Sequence, residues 1–123
     1  MKTIENMITD LFDAKPMTLR DLYDGQRDMY DGGAVYAIST PDDSSVVSIG
    51  QSSVFRHRMS FHVRPDRAGN QDLPRMIDRH PNHPTDPGSY LVRYLAIEDH
   101  SMRSELKSAA IRKIRPAFNR STR

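Results

Sequence analysis

Apolar residues fall in short clusters along the chain, and the spacing within each cluster predicts an element. Ile4 to Phe12 and Met17 to Tyr23 have helical character and are separated by Lys15-Pro16, where proline disfavours helix continuation. They predict a helical N-terminal extension over residues 1–32. Asp31-Gly32-Gly33 then makes a turn, and Ala34-Val35-Tyr36-Ala37-Ile38-Ser39 is a short run rich in strand formers. A second run, Val46-Val47-Ser48-Ile49-Gly50, follows the turn-forming stretch Pro41-Asp42-Asp43-Ser44-Ser45. The pair is expected to form an antiparallel hairpin. Beyond it, Val54, Phe55, Met59, Phe61 and His62 recur at spacings of about three and four. This predicts a helix capped by Ser52 or Ser53 and ending before Pro65, with Arg58 one turn ahead of His62.

The stretch from Arg64 to Gly69 reads as loop, Asp72 to His80 as a short helix with Leu73, Met76 and Ile77 on one side, and His80 to Gly88, with its three prolines, as irregular. Ser89 to Ile97 is apolar on both faces for most of its length, which predicts a third strand in the middle of the sheet. In the last helix, capped by Asp99 or Ser101 and stopped by Pro116, the apolar stripe is Met102, Leu106, Ala109, Ala110 and Ile114, with Glu105 beside it. The expected fold is therefore α/β in the broad sense (α+β): a small three-stranded antiparallel or mixed sheet flanked by helices, occupying residues 33–123 behind the N-terminal extension.

Composition narrows the chemistry. A chain of 123 residues, 37% hydrophobic and 28% charged, suffices for one core and hence one principal site. Cysteine is absent, which excludes disulfides, thiol nucleophiles and cysteine-based zinc sites. No stretch reads as a signal peptide or a membrane span, so a cytoplasmic location and no membrane partner are expected. Charge is unevenly placed: residues 1–33 hold four basic against seven acidic side chains, whereas after Asp99 seven basic residues face Glu105 alone. Such a basic stripe attracts phosphate backbones, although a solvated helix face accounts for it equally well.

Several of these residues stand in a recognisable order. Ala34-Val35-Tyr36 and Ser48-Ile49-Gly50 form two tripeptides, followed by Gln51-Ser52, by Arg58 eight residues after Gly50, by His62 twelve after it, by Glu105 in the last helix, and by Asn119 after Pro116. In this order and spacing the chain resembles the GIY-YIG endonuclease family, from about Gly33 to Arg120. The resemblance implies a metal-dependent hydrolase of nucleic acid phosphodiester bonds, with DNA as the first expectation and a single Mg²⁺ or Mn²⁺. It implies Glu105 as the metal ligand, Arg58 on the non-bridging phosphate oxygens, and Tyr36 as the group contacting the attacking water, with His62 as its proton partner. Gln51, Arg56, Lys113 and Asn119 are then expected along the nucleic acid, and a partner protein or a homodimer would supply specificity.

Where the family has the tyrosine of its second tripeptide, this chain has Ser48, a smaller hydroxyl without a phenol's acidity. Two functional readings follow: an active endonuclease with a modified site, and a nucleic-acid-binding relative that no longer cuts. A third, a protein-binding scaffold, rests on the acidic N-terminal segment alone. Each residue also has an ordinary reading: Tyr36 as a core aromatic, Arg58 and His62 as a polar helix face, Glu105 as an acid favoured near a helix N-terminus, and Asn119 as a turn residue.

Overall fold

The computed structural model describes residues 2–25 and 30–119; Arg27 and Asp28 of the acidic segment and Arg120 and Arg123 of the basic tail lie outside the described residues. Helix α1 (Ile4–Asp13) is opened by Thr3, whose hydroxyl accepts from the Asn6 N–H. After Pro16 comes β1, only Met17–Thr18, and then α2 (Leu19–Asp24), capped by the hydroxyl of Thr18. The hairpin strands are β2 (Ala34–Ser39) and β3 (Val46–Ser52). Helices α3 (Phe55–Val63) and α4 (Leu73–Asp78), strand β4 (Leu91–Ala96) and the long α5 (His100–Ile114) complete the order.

The sheet has four strands in the order β1-β4-β2-β3, and all pairs are antiparallel. The expectation of three strands is corrected by β1, whose two residues pair with the start of β4, Met17 opposite Val92 and Thr18 opposite Leu91. Two residues are too few to show strand alternation, and their apolar character merges with the helix that follows. β4 lies between β1 and β2, so its double-sided apolar pattern is accounted for.

Alternation along β2 builds two cores. Ala34, Tyr36 and Ile38 join Leu19, Leu22, Phe55, Met59, Leu73 and Phe118 on one face, and Val35 and Ala37 join Ile8, Leu11, Leu106 and Ala110 on the other. Leu11 is fully buried and Ile8 nearly so. At roughly 1.5–3 kcal/mol for each such side chain, α1 is fastened onto the second core rather than trailing from it. The segment before residue 33 thus supplies a strand to the sheet and two helices to its faces. Among the described residues no helix is long and apolar enough to cross a membrane.

Two predicted caps are refined. Asp99 caps α5, its carboxylate accepting from the Met102 N–H at 3.3 Å, so the alternative at Ser101 falls away. At α3 neither serine caps: Val54 holds the N-cap position, Ser52 Oγ accepts from the Val54 N–H, and the Phe55 N–H donates to the Gly32 carbonyl. The edge strand β3 is partly covered by the chain after α5. Phe118 N–H donates to the Val47 carbonyl at 2.8 Å, and the Asn119 amide brackets Ile49, accepting from its N–H at 2.6 Å and donating to its carbonyl at 3.0 Å. This pairing fixes where α5 passes along the sheet edge.

Candidate functional site

A cleft of about 370 Å³ opens along β3, with α3 and the start of α4 on one side and α5 on the other. The strands contribute Tyr36, Ser48, Gly50 and Gln51 to it, α3 contributes Arg58 and His62, α5 contributes Lys107 and Ile111, and Asn119 closes one end. Both tripeptides therefore meet at the cleft, because the hairpin register sets Tyr36 directly opposite Gly50. Glycine is required there. A side chain at position 50 would run into the Tyr36 ring and hydroxyl, which lie across the Gly50 backbone.

Helical spacing places Arg58 and His62 on one face of α3, and both reach the Tyr36 hydroxyl. The Nε–H of Arg58 donates to Tyr36 Oη at 3.3 Å, and His62 Nε2 lies 2.9 Å from the same atom. The other ring nitrogen of His62 fixes the direction of that second bond. The Leu73 backbone N–H donates to His62 Nδ1 at 3.0 Å, so Nδ1 is an acceptor, the neutral imidazole carries its proton on Nε2, and Nε2–H donates to Tyr36. The resemblance had cast His62 as the group that relieves Tyr36 of a proton; in the structure the bond between them runs the opposite way. Burial, helped by the positive charge of Arg58, holds His62 down at a pKa of about 3, which keeps it in this neutral form.

Tyr36 is 2% exposed. Burial raises its pKa above the ordinary phenol value, with the Arg58 charge and hydrogen bond acting in the opposite direction. Its oxygen already accepts from two donors, so its own hydrogen is the one bonding capacity left, and the hydroxyl is a protonated donor on the cleft wall.

Arg58 is held from behind by a residue that the sequence reading passed over. Its Nη1 lies 2.6 Å from Asp72 Oδ1, off the N–H axis, so the two form a close ion pair without an aligned hydrogen bond; the second Asp72 oxygen accepts from the Gly69 N–H at 2.6 Å. Asp72 is 4% exposed. The available signal was an aspartate just before Leu73-Pro74 at a helix start, a setting in which capping is the default inference. Here its side chain makes no cap bond and faces Arg58 instead.

On β3 the Gln51 side chain is oriented by the buried Arg103, whose Nε donates to Gln51 Oε1 at 3.0 Å while its Nη1 donates to the carbonyls of Ile97 and Glu98. With its oxygen engaged, Gln51 has its NH₂ group left to offer the cleft. Ser48 is 5% exposed and lines the cleft, so a phenol at that position would enter the same space.

Other predicted residues lie elsewhere. Glu105 is exposed and does not line the cleft; Lys107, two residues on, does. At 100° per residue the two side chains are about 200° apart around the helix, so Glu105 is on the side of α5 turned away from Tyr36. Lys107 has no hydrogen bond or ion pair among the described residues. Arg56 pairs with Asp31 at 2.7 Å and lines a neighbouring depression with His57, Ser60 and Arg67. Lys113 pairs with Glu5 at 2.9 Å on the surface and ties α5 to α1. Asn119 lines the cleft, but both polar atoms of its amide are committed to Ile49, so it supports the wall.

The donor set does not fit the divalent metal that the resemblance implies. Mg²⁺ and Mn²⁺ take hard oxygens, carboxylates above all. Among the described residues no carboxylate lines the cleft, the Asp72 carboxylate is buried behind Arg58, and Glu105 is outside. No group of three histidine, aspartate or glutamate residues able to hold a metal occurs among the described residues. What the arrangement suits is an anion, met by Arg58, Lys107, the Tyr36 O–H and the Gln51 amide. No family model, curated protein or solved structure matches the chain.

Proposed function

We propose that this domain binds nucleic acid through a single backbone phosphate seated in the cleft, as a GIY-YIG-like module. The observation that carries the reading is the meeting of Arg58 and Lys107 in one cleft with Tyr36, where among the described residues Lys107 has no ion-pair partner and no carboxylate lines the wall. A guanidinium fork and an ammonium are complementary to phosphate oxygens, and Arg58 is preoriented by Asp72 and Tyr36 before any ligand arrives. The depression at Arg56, His57 and Arg67 lies on a different face of α3 and includes Asp31, the partner of Arg56, so the reading rests on the cleft alone. DNA is the first nucleic acid to try. Low sequence specificity is the natural consequence of a site built from phosphate donors, since phosphate contacts position a strand without reading its bases.

A second reading is phosphodiester hydrolysis at this site, and one observation favours it. Two N–H groups aimed at Tyr36 Oη are what a phenolate would need, so the hydroxyl has the partners of a general base, with the Arg58 charge opposing the rise in pKa that burial causes. This reading does not include a divalent metal, because the cleft lacks the ligands for one.

Fluorescence anisotropy with a labelled single-stranded deoxyoligonucleotide, run beside supercoiled plasmid in Mg²⁺, Mn²⁺ and chelator, separates the two readings. Binding that weakens with salt and leaves both nucleic acids intact supports the binding module, cleavage selects the second reading, and the absence of binding refutes both. Glu105→Ala is expected to change binding by less than about twofold, because an exposed side chain outside the cleft acts only through screened charge. A large loss in that variant would place the site on the other side of α5.

A further inference from the structure

We infer that Lys107 takes over in this cleft the electrostatic task that the family resemblance assigns to a divalent metal, so that phosphate is held without any metal ion. The inference rests on the reading of the cleft as a nucleic acid phosphate site and goes beyond it by naming the cation.

The charged groups of the cleft lining are cationic, and three of its polar side chains have their oxygens engaged. Tyr36 Oη receives hydrogen bonds from Arg58 and His62 and has only its hydrogen left to give. Gln51 has its oxygen engaged by Arg103, and Asn119 has its oxygen engaged by the Ile49 N–H. The oxygens of Tyr36, Gln51 and Asn119 are thus engaged, and the neutral oxygens of Ser48 and Gln71 are the side-chain acceptors left in the lining, which holds no carboxylate among the described residues. Lys107 stands on the wall opposite α3, half-buried, with no carboxylate beside it among the described residues. Two other lysines, Lys2 and Lys113, are paired with Asp10 and Glu5. An ammonium inside a cleft whose charged groups are cationic repels a divalent cation and attracts an anion. The same position on α5 would be the natural place for a metal-binding carboxylate, since it faces Tyr36 and Arg58 across the cleft. In this chain a positive side chain occupies it.

The test uses the full chain and a fluorescein-labelled single-stranded deoxyoligonucleotide at matched ionic strength, once in excess EDTA and once in Mg²⁺. The wild type is expected to bind equally well in both. Lys107→Ala should weaken binding roughly tenfold, the loss of one charge-assisted hydrogen bond, while Lys107→Arg should stay near the wild-type affinity. Thermal melts of each variant establish that the fold is retained, which is expected for a side chain with no hydrogen bond or ion pair among the described residues. In parallel, electron paramagnetic resonance of added Mn²⁺ should show no protein-bound ion for the wild type.

Binding that requires Mg²⁺ and is indifferent to Lys107→Ala would overturn the inference while leaving the phosphate reading in place. Failure of the wild type to bind in either condition would remove the phosphate reading and the inference with it. Bound Mn²⁺ on the wild-type protein would contradict the inference whatever the oligonucleotide does.

Discussion

Replacing Arg58 with alanine is expected to destabilise the domain by about 2–3 kcal/mol as well as abolish binding. The reason is Asp72. Its carboxylate is almost wholly buried, and among the described residues the Arg58 guanidinium is the cation paired with it. Removing one member of a buried pair strands the other charge in a poor solvent, which typically costs 3–5 kcal/mol. The Arg58 side chain is 30% exposed, so water partly replaces it, and the lower figure applies. A loss of binding in Arg58→Ala therefore has two causes that an activity assay alone cannot separate. The double variant Arg58→Met, Asp72→Asn separates them: it should recover most of the stability in urea unfolding while still failing to bind, because the pair is restored to neutrality and the phosphate donor is still missing. A single variant as stable as the wild type would mean that Asp72 does not depend on Arg58.

His62 should make stability depend on pH in a definite direction. Its folded-state pKa is about 3, well below the 6.5 of an unperturbed imidazole. Between these values the unfolded chain carries a proton on His62 that the folded chain does not, so stability is greatest above pH 6.5 and falls as the pH drops toward 3. The contribution from this residue is about 1.4 kcal/mol per pH unit within that window. Protonation would also oppose the Leu73 N–H against a ring N–H, breaking the bond that orients the imidazole. Glutamine at position 62 has an oxygen to accept from Leu73 and an NH₂ group to donate to Tyr36, and it does not titrate. His62→Gln should thus be less stable than the wild type at pH 7 through imperfect packing, yet lose stability more gently as acid is added. Parallel slopes for the two proteins between pH 6 and pH 4 in urea titrations would show that His62 is not held neutral by the fold.

Much of the scaffold was legible because its signals are long or local. The strands Ala34–Ser39 and Leu91–Ala96 each run for six residues of strand-forming character, and the turn chemistry around Asp42-Asp43 sets the hairpin register that brings Tyr36 against Gly50. Arg58 and His62 share a helix face by spacing alone. What escaped depends on tertiary placement. The strand Met17–Thr18 exists because the start of β4 lies alongside it, and no local pattern announces two residues. Asp72 reaches Arg58 across the loop after Pro65, where sequence distance carries no geometry. That Lys107 lines the cleft and Glu105 does not is a matter of helix phase. The core-facing side of α5 includes the buried Arg103 beside Leu106 and Ala110, so the apolar residues alone do not say which polar neighbour turns toward β3. A two-residue offset around a helix puts Lys107 in the cleft lining and leaves Glu105 out of it.

The direction of the bond between His62 and Tyr36 was equally beyond the sequence, because it is decided by a backbone N–H from α4. Once Leu73 donates to Nδ1, the imidazole can only donate to the phenol, and Tyr36 becomes a hydrogen-bond donor to whatever enters the cleft. Residue types and order suggest a proton relay; the placement of one peptide group converts it into a rigid set of donors.

Chemical-shift mapping of the ¹⁵N-labelled full chain with a short single-stranded deoxyoligonucleotide, in the presence of EDTA, tests the central claim most directly. The largest perturbations are expected at Gly50, Gln51, Arg58 and Lys107 around the cleft, with little change at Lys113 or Glu105. Perturbations centred on the outer face of α5, or none at all at saturating oligonucleotide, would contradict a phosphate site between α3 and α5.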